Sequence, residues 1–302
     1  MTTESPHPTP GINHTDSMQN AGLKVLRLQY GKMLAQQAGV QAGDDIEAVH
    51  DMRVAMRRMR VALRVFKPYF PKSSLKRYGK RVKAVGRVLG PIRDIDVFLE
   101  KTNLYSEQDA QNQQTLASVE DFFGKARDEF HVEANLYLES QTYADLVKSL
   151  ENFTETEEID SGPIVRASAQ KLIGKRLSKV RGYEQDWRQA DYVTLHRLRI
   201  AFKRLRYSIE FFEDVLGKEQ YVAIKLLKEI QDHLGDLNDA QVALLLLEDL
   251  PGEYKNPHSQ AYYDFRRGER DALVASFPDM WQRFANGGFE NNLEMALRPL
   301  NV

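Results

Sequence analysis

The chain has 302 residues, 42% of them hydrophobic, a formal net charge of −1 and no cysteine. This length and composition allow one large domain, or two of about 150 residues, around a buried core. The absence of cysteine excludes disulfides, thiolate metal sites and cysteine nucleophiles, and no apolar run approaches the roughly 20 residues of a membrane-spanning helix.

The N-terminal segment comes first in chain order. Residues 1–17 are rich in Pro, Thr, Ser and Asn, which predicts a disordered tail. They lack the basic start and apolar run of a secretory signal, so we expect a cytoplasmic protein. Apolar residues at helical spacing then predict a helix over 18–37, followed by a loop from Gly39 to Gly43.

The next predicted helix, from Val49 to Phe66, carries an unusual stripe of charge. Apolar residues from Met52 to Phe66 recur at spacings of 4, 3, 4 and 3, which is typical of a helix facing a core. Asp44 or Asp45 is the expected N-cap. A second stripe consists of His50, Arg53, Arg57, Arg60 and Arg64 and contains no acid. Like charges three or four residues apart on a helix cost roughly 0.2–0.5 kcal/mol per pair. An extended polyanion would relieve this cost, and ion pairs with neighbouring helices are the alternative.

A second basic helix is predicted over residues 75–89. Its cations also share one face: Lys76, Lys80, Lys83 and Arg87. Gly90 and Pro91 predict a helix end and a new start, with Asp94 in the first turn of the following helix. Further helices are expected over 107–132 and 143–150, and the polar, acidic stretch 151–163 is the best candidate boundary.

The charges are segregated along the chain. Residues 50–93 contain 14 Lys and Arg against one acid, whereas residues 94–162 contain 4 against 17. This segregation indicates a basic recognition surface that is balanced by acid elsewhere.

The second half repeats the first. A shift of 146 places VHDMRVAMRRMRVALRVF on LHRLRIAFKRLRYSIEFF, and a shift of 145 places LGPIRDIDVFL on LGDLNDAQVAL. The matched cations and histidine are His196, Arg199, Lys203, Arg206, Lys225 and Lys228. Glu210 and Asp232 stand where the first copy has Arg64 and Arg87, so we expect weaker anion binding by the second half. One or two more helices are expected over 260–297. The repeat predicts an all-α fold of two similar bundles, residues 18–160 and 161–302, related by an approximate two-fold.

The repeated motifs resemble those of the CHAD family, the conserved histidine α-helical domain. The resemblance covers residues 18–300 and lies in VHDMRVAMRRMR, LHRLRIAFKRLR, LGPIRD and LGDLND. It implies two four-helix bundles with a basic cleft or pore that binds inorganic polyphosphate and can recruit proteins to polyphosphate granules. It also implies a stand-alone, non-catalytic version without an attached hydrolase. The implied polyphosphate-binding residues are His50, Arg53, Arg57, Arg60, Arg64, Lys76, Lys80, Lys83, Arg87, His196, Arg199, Lys203, Arg206, Lys225 and Lys228.

Several roles stay open at this point. The two histidines could donate to phosphate, be buried and satisfied by protein groups, or bind a metal, although neither has a His, Asp or Glu at i+3 or i+4. Arg58 and Arg204 lie off the basic stripe and are expected to pair with Asp94 and Asp239. Those two aspartates are expected to cap helices rather than to act as acid or base.

No catalytic motif is found, so we expect no enzyme, no cofactor and no resident metal. Nucleic-acid backbone binding is the main rival, although the pI near 6.7 and the scarcity of aromatics beside the arginines disfavour it. Docking of an acidic protein is the third possibility.

Overall fold

The computed structural model describes residues 8–107, 110–155, 162–185 and 191–301, apart from the side chains of residues 73–76 and 110–115. Within these ranges the regular elements are helices, which confirms the all-α prediction. None of the helices described here has the length and apolar character needed to span a membrane. Their bounds are α1 Met18–Ala35, α2 Gln37–Ala42, α3 Ile46–Val65, α4 Lys72–Ser106, α5 Ala110–Leu138, α6 Gln141–Thr154, α7 Val165–Arg181, α8 Tyr192–Phe211, α9 Gln220–Glu248, α10 Pro257–Ala285 and α11 Gly288–Leu297.

Helix α3 follows the sequence prediction closely. Asp45 is its N-cap, and the Asp45 side chain accepts a hydrogen bond from the backbone N–H of Glu47. Met52 and Met59 on the apolar stripe are fully buried. The helix ends just before Pro68, whose ring restricts the backbone of the preceding residue. The polar stripe of α3 is therefore held at a fixed angle to the core.

Helix α4 is longer than the sequence indicated. We expected a break at Gly90 and Pro91, but α4 runs unbroken for 35 residues with Pro91 inside it. An interior proline costs about 3 kcal/mol. The flanking side chains of Leu89, Ile92 and Ile95 are buried, and burial of such side chains contributes roughly 1.5–3 kcal/mol each. Packing on both sides of the proline thus outweighs the local penalty.

The same correction applies to the second copy. Helix α9 continues through Gly235, so neither LGPIRD nor LGDLND is a helix boundary. Asp94 and Asp239 consequently lie in helix interiors, and the prediction that they cap helices is wrong. Their role has to be sought in the contacts of their side chains.

Two segments predicted to be irregular are ordered. The Gly39–Gly43 loop instead contains α2, which ends at Gly43 with a φ of 81°, a left-handed conformation that favours glycine. Residues 8–17 were expected to be disordered, but they pack against the body of the protein. Ile12 is buried, and its backbone N–H donates to Asp214 at 2.8 Å. Residues 1–7 of the predicted tail lie outside the described residues.

Helices pack in the same order in both halves. In the first half α1 packs on α3, α3 on α4, and α4 on α5; in the second, α7 packs on α8, α8 on α9, and α9 on α10. Helices α3 and α8 begin and end 146 positions apart, at 46–65 and 192–211. The halves meet where α3 contacts α8 and α4 contacts α9. This arrangement places the two His/Arg helices beside each other, while the approximate two-fold stays a prediction.

Candidate functional site

A cavity of about 1060 Å³ lies where α3 from the first half faces α8 and α9 from the second, with Gln29 and Lys32 of α1 also on its wall. Lysine, arginine and carboxylate side chains line most of it. Fewer than half of the site residues predicted from the sequence lie on its wall. Those on its wall are His50, Arg57, Arg199, Lys203, Arg206, Lys225 and Lys228.

Four of these residues form the cationic centre of the cavity: Arg57 from α3, with Arg199, Lys203 and Arg206 from α8. Arg57 is oriented by Tyr207, because its Nε donates to the Tyr207 hydroxyl at 2.8 Å. Burial and, after it, the charges of Arg57 and Arg199 lower the pKa of Lys203 to about 6, against the opposing effect of Asp239. Lys203 is therefore largely neutral near pH 7 unless an anion is present.

The cavity also has an acidic end, on which Glu210 and Glu213 lie. Glu210 is buried and accepts a short hydrogen bond from Arg58, and Nε of Arg206 lies 3.5 Å from its other oxygen. The prediction that Arg58 pairs with Asp94 is therefore wrong. Burial and, after it, the charges of Glu210 and the neighbouring Asp214 raise the pKa of Glu213 to about 7. Two of the arginines on the cavity wall are thus partly neutralised by one carboxylate.

The Leu-Gly-x-x-x-Asp motif holds the first arginine of each repeat. Nη1 of Arg53 donates to the carbonyl oxygen of Gly86 at 3.3 Å, and Nη2 lies 3.9 Å from Asp94. A Cβ atom at Gly90 would lie only 3.2 Å from Nη1 of Arg53. The glycine therefore leaves room for the guanidinium group, and the aspartate one turn later supplies the opposite charge.

The second repeat has the matching contacts. A Cβ atom at Gly235 would lie 3.9 Å from Nη2 of Arg199, and Asp239 opposes the lowering of the Arg199 pKa that burial causes. Asp239 acts on Arg199 and not on Arg204, the partner indicated by the sequence. The spacing of His-x-x-Arg and Leu-Gly-x-x-x-Asp thus reflects a tertiary contact between neighbouring helices.

The two histidines differ in their surroundings. His50 lines the cavity, and burial, followed by the charge of Arg93, lowers its pKa. His196 does not line the cavity, and its Nδ1 lies 3.1 Å from Oδ1 of Asn238, a distance at which a protonated Nδ1 donates. Burial also lowers the pKa of His196. Among the described residues, no group of three His, Asp or Glu side chains could hold a metal ion.

The remaining predicted residues lie away from the cavity. Lys80 and Lys83 are exposed, and the Lys76 side chain lies outside the described part of the chain. Arg60, Arg64 and Arg87 belong to a separate group of basic side chains, close enough to one another that Arg64 and Arg87 lower the pKa of Arg60. The single stripe indicated by the sequence is thus divided between two places.

Sequence reasoning missed three basic residues at these places. Lys32 is one of three cations on α1, with Lys24 and Arg27, and nothing in the local pattern distinguishes it. Arg58 was taken as remote from the basic stripe, although it lines the cavity. Arg176 belongs to the basic run KRLSKVR of α7, a signal that was present in the sequence.

Comparison with known proteins places the chain in a family. The model of the CHAD domain matches residues 24–248. The crystal structure of the CHAD domain from the plant Ricinus communis is similar, with a TM-score of 0.72 and 23% identity over 100% of this chain and 98% of that one. PptA from Streptomyces chartreusis has a TM-score of 0.67 and 16% identity over 91% of this chain and 100% of its own. No curated protein matches the sequence.

At these identities the solved structures support the fold, and the family match covers both His/Arg helices together with the two Leu-Gly-x-x-x-Asp motifs. The CHAD family is associated with polyphosphate binding and is generally a non-catalytic binding domain. The chain belongs to the CHAD family.

Proposed function

We propose that this protein binds inorganic polyphosphate, without catalysis, in the cavity between α3, α8 and α9. The observation that carries the proposal is the cationic centre, where Lys203 lies among three arginines and has its pKa lowered to about 6. Such a concentration of like charge is unfavourable in the empty protein and becomes favourable when a polyanion enters.

The residue types suit phosphate. A guanidinium group donates two parallel hydrogen bonds to phosphate oxygens, and an ammonium group adds a point charge that can follow a flexible chain. Arg57 is held by its hydrogen bond to Tyr207, so less of its side-chain entropy is lost on binding. The cavity volume of about 1060 Å³ is ample for several phosphate units.

The carboxylates of the acidic end make the attraction for an anion differ between the two ends of the cavity. Glu210 neutralises Arg58 and Arg206 in part, so the strongest attraction is expected near Arg57 and Lys203, away from Glu213. The expectation that the first half contributes more to affinity stays a prediction, because three of the four cations of the cationic centre belong to α8 of the second half.

Nucleic acid fits the cavity less well. Binding of single strands depends on bases that stack on exposed aromatic rings. Tyr207, beside the cationic centre, is fully buried with its hydroxyl bonded to Arg57, and Tyr221 on the cavity wall is half-buried. Neither ring offers a fully exposed face for a base. The rival binding of an acidic protein would use the exposed lysines rather than half-buried arginines.

Calorimetric titration separates these possibilities. The full chain is titrated with long-chain polyphosphate, single-stranded RNA, an acidic polypeptide and orthophosphate at the same salt concentration. We expect tight binding of polyphosphate only, with no phosphate released over hours. Equal affinity for RNA or for the acidic polypeptide would overturn the proposal, and release of phosphate would indicate an enzyme.

A matched pair of variants tests the location. The double variant R57Q/K203M removes two cations from the cavity and should weaken polyphosphate binding at least tenfold. The slope of log affinity against log salt concentration should become shallower by about 1.5. The control K125Q/R267Q removes two cations from exposed ion pairs on α5 and α10. Equal losses in the two variants would show that only net charge matters.

Recruitment to polyphosphate granules is part of the same proposal. A fluorescent fusion of the wild-type chain should concentrate on granules in cells that accumulate polyphosphate, and the R57Q/K203M fusion should stay diffuse. Equal recruitment of both fusions would contradict a role for the cavity in localisation.

A further inference from the structure

A second group of basic side chains lies outside the cavity. We call it the arginine face: Arg60 and Arg64 from α3, Arg87 from α4, Arg176 from α7 and Arg204 from α8. Arg64 is central, because its charge lowers the pKa of Arg60, Arg176 and Arg204. Four helices therefore bring arginines together at one place.

In the part of the chain that the structure describes, no carboxylate forms an ion pair with the arginine face. Among the described residues, no ion pair or side-chain hydrogen bond involves any of its five guanidinium groups. Nε of Arg176 is buried without a hydrogen-bond partner. In the cavity, by contrast, Glu210 and Asp239 oppose the positive charge. Arg60, Arg176 and Arg204 are half-buried, whereas Arg64 and Arg87 are exposed. Half-buried arginines without a neighbouring carboxylate favour the binding of an anion.

The arginine face is separate from the cavity. At about 100° and 1.5 Å per residue, Arg204 lies about 140° from Arg199 around α8, whereas Arg64 lies on the same side of α3 as Arg57 but about 10 Å further along the helix. A smaller cavity of about 200 Å³ opens at the arginine face and is lined by Arg176 and Arg204 with Lys179, Arg197, Tyr183 and Ala201. The two cavities share no lining residue.

We propose that the arginine face is a second phosphate-chain site, and that a long polyphosphate occupies it and the cavity at the same time. This inference rests on the proposed function, since the same polymer must enter the cavity. The face offers several guanidinium groups to one stretch of phosphates, which is the geometry that favours bidentate contacts.

Two linked sites predict a preference for chain length. Once one site is occupied, the second binds from a high effective concentration, which can raise overall affinity by about 10²–10⁴ without a new contact. A short oligophosphate cannot reach both sites and should bind them independently. Discrimination between long and short chains therefore comes from the number of sites engaged.

Titration with two probes tests this. At low salt the wild-type chain should bind two molecules of tripolyphosphate and one long chain. The variant R176Q/R204Q should bind one tripolyphosphate and lose at least tenfold in long-chain affinity. It should keep its melting temperature or gain in it, because like-charge repulsion is relieved. The control K125Q/R267Q should behave as wild type.

Each alternative result is decisive. Unchanged affinity and stoichiometry in R176Q/R204Q, with binding lost in R57Q/K203M, would overturn the second site and leave the proposed function intact. Absence of polyphosphate binding by the wild-type chain would instead overturn the proposed function. A large fall in melting temperature of R176Q/R204Q would assign these arginines to the stability of the fold, and the single variant R64Q, at an exposed position, would then replace it.

Discussion

Lys203 makes a quantitative prediction about pH. In the empty cavity its pKa is about 6, because it is buried and faces Arg57 from α3 and Arg199 and Arg206 from α8, with Asp239 of α9 opposing them. A bound polyphosphate would add negative charge beside the ammonium group and return its pKa towards the ordinary value of about 10.4. Binding should therefore take up a proton.

The size of the effect follows from the pKa. With a pKa of about 6, roughly 10% of Lys203 is protonated at pH 7, so binding takes up about 0.9 proton. Affinity should then fall about ninefold between pH 7 and pH 8, but only about twofold between pH 5 and pH 6. The sign is fixed, since the complex holds more protons than the free protein and low pH favours it.

The free energy of unfolding should change with pH in the direction opposite to that of the binding affinity. Between a folded pKa of about 6 and the ordinary lysine value, the unfolded chain binds a proton that the folded chain does not. Stability therefore rises with pH across this window and falls as pH drops towards 6. K203M should remove the contribution of Lys203 to the pH dependence of the free energy of unfolding.

The assay is titration calorimetry from pH 5 to pH 8.5 in two buffers of different ionisation enthalpy. The same long-chain polymer, of which only the chain ends titrate near neutrality, is used with wild type, K203M, H50Q and E213Q, because the pKa of His50 is also lowered and that of Glu213 is raised to about 7. We expect K203M to lose most of the pH dependence above pH 7 that H50Q and E213Q retain. Equal slopes for wild type and K203M above pH 7 would refute the reasoning.

Two further predictions concern stability, each with a matched control and each measured by urea and thermal denaturation. Asp96 is almost completely buried and lies 2.6 Å from Nε of Arg127, so D96N should lower the free energy of unfolding by roughly 3 kcal/mol. The control D121N, in an exposed ion pair on α5, should cause no measurable loss of stability. A Cβ atom at Gly22 would lie 2.8 Å from an aromatic ring, so G22A should cost about 1–3 kcal/mol; G31A meets no atom within 4 Å and should gain about 1 kcal/mol. Equal effects within either pair would contradict the packing described for α1 and α5.

The sequence by itself determined the helices and their repetition. Apolar side chains at helical spacing located α3 and α8, and the shared positions of His, Arg, Gly and Asp revealed a repeat whose helix bounds agree. The family resemblance rested on those positions, which are now explained by the packing of Arg53 against Gly90 and Asp94. These features are local or periodic along the chain, so the amino-acid sequence alone predicts them.

The tertiary structure decided where helices continue and which charges meet. Pro91 reads as a helix boundary because its local penalty is known, whereas the buried side chains that outweigh it belong to the assembled core. A helical wheel gives the direction of Arg57 and Arg64 on α3, but it cannot say which neighbouring helix crosses between them. That crossing divides one basic stripe into the cavity and the arginine face, and it brings Arg58 to Glu210, a residue 152 positions away.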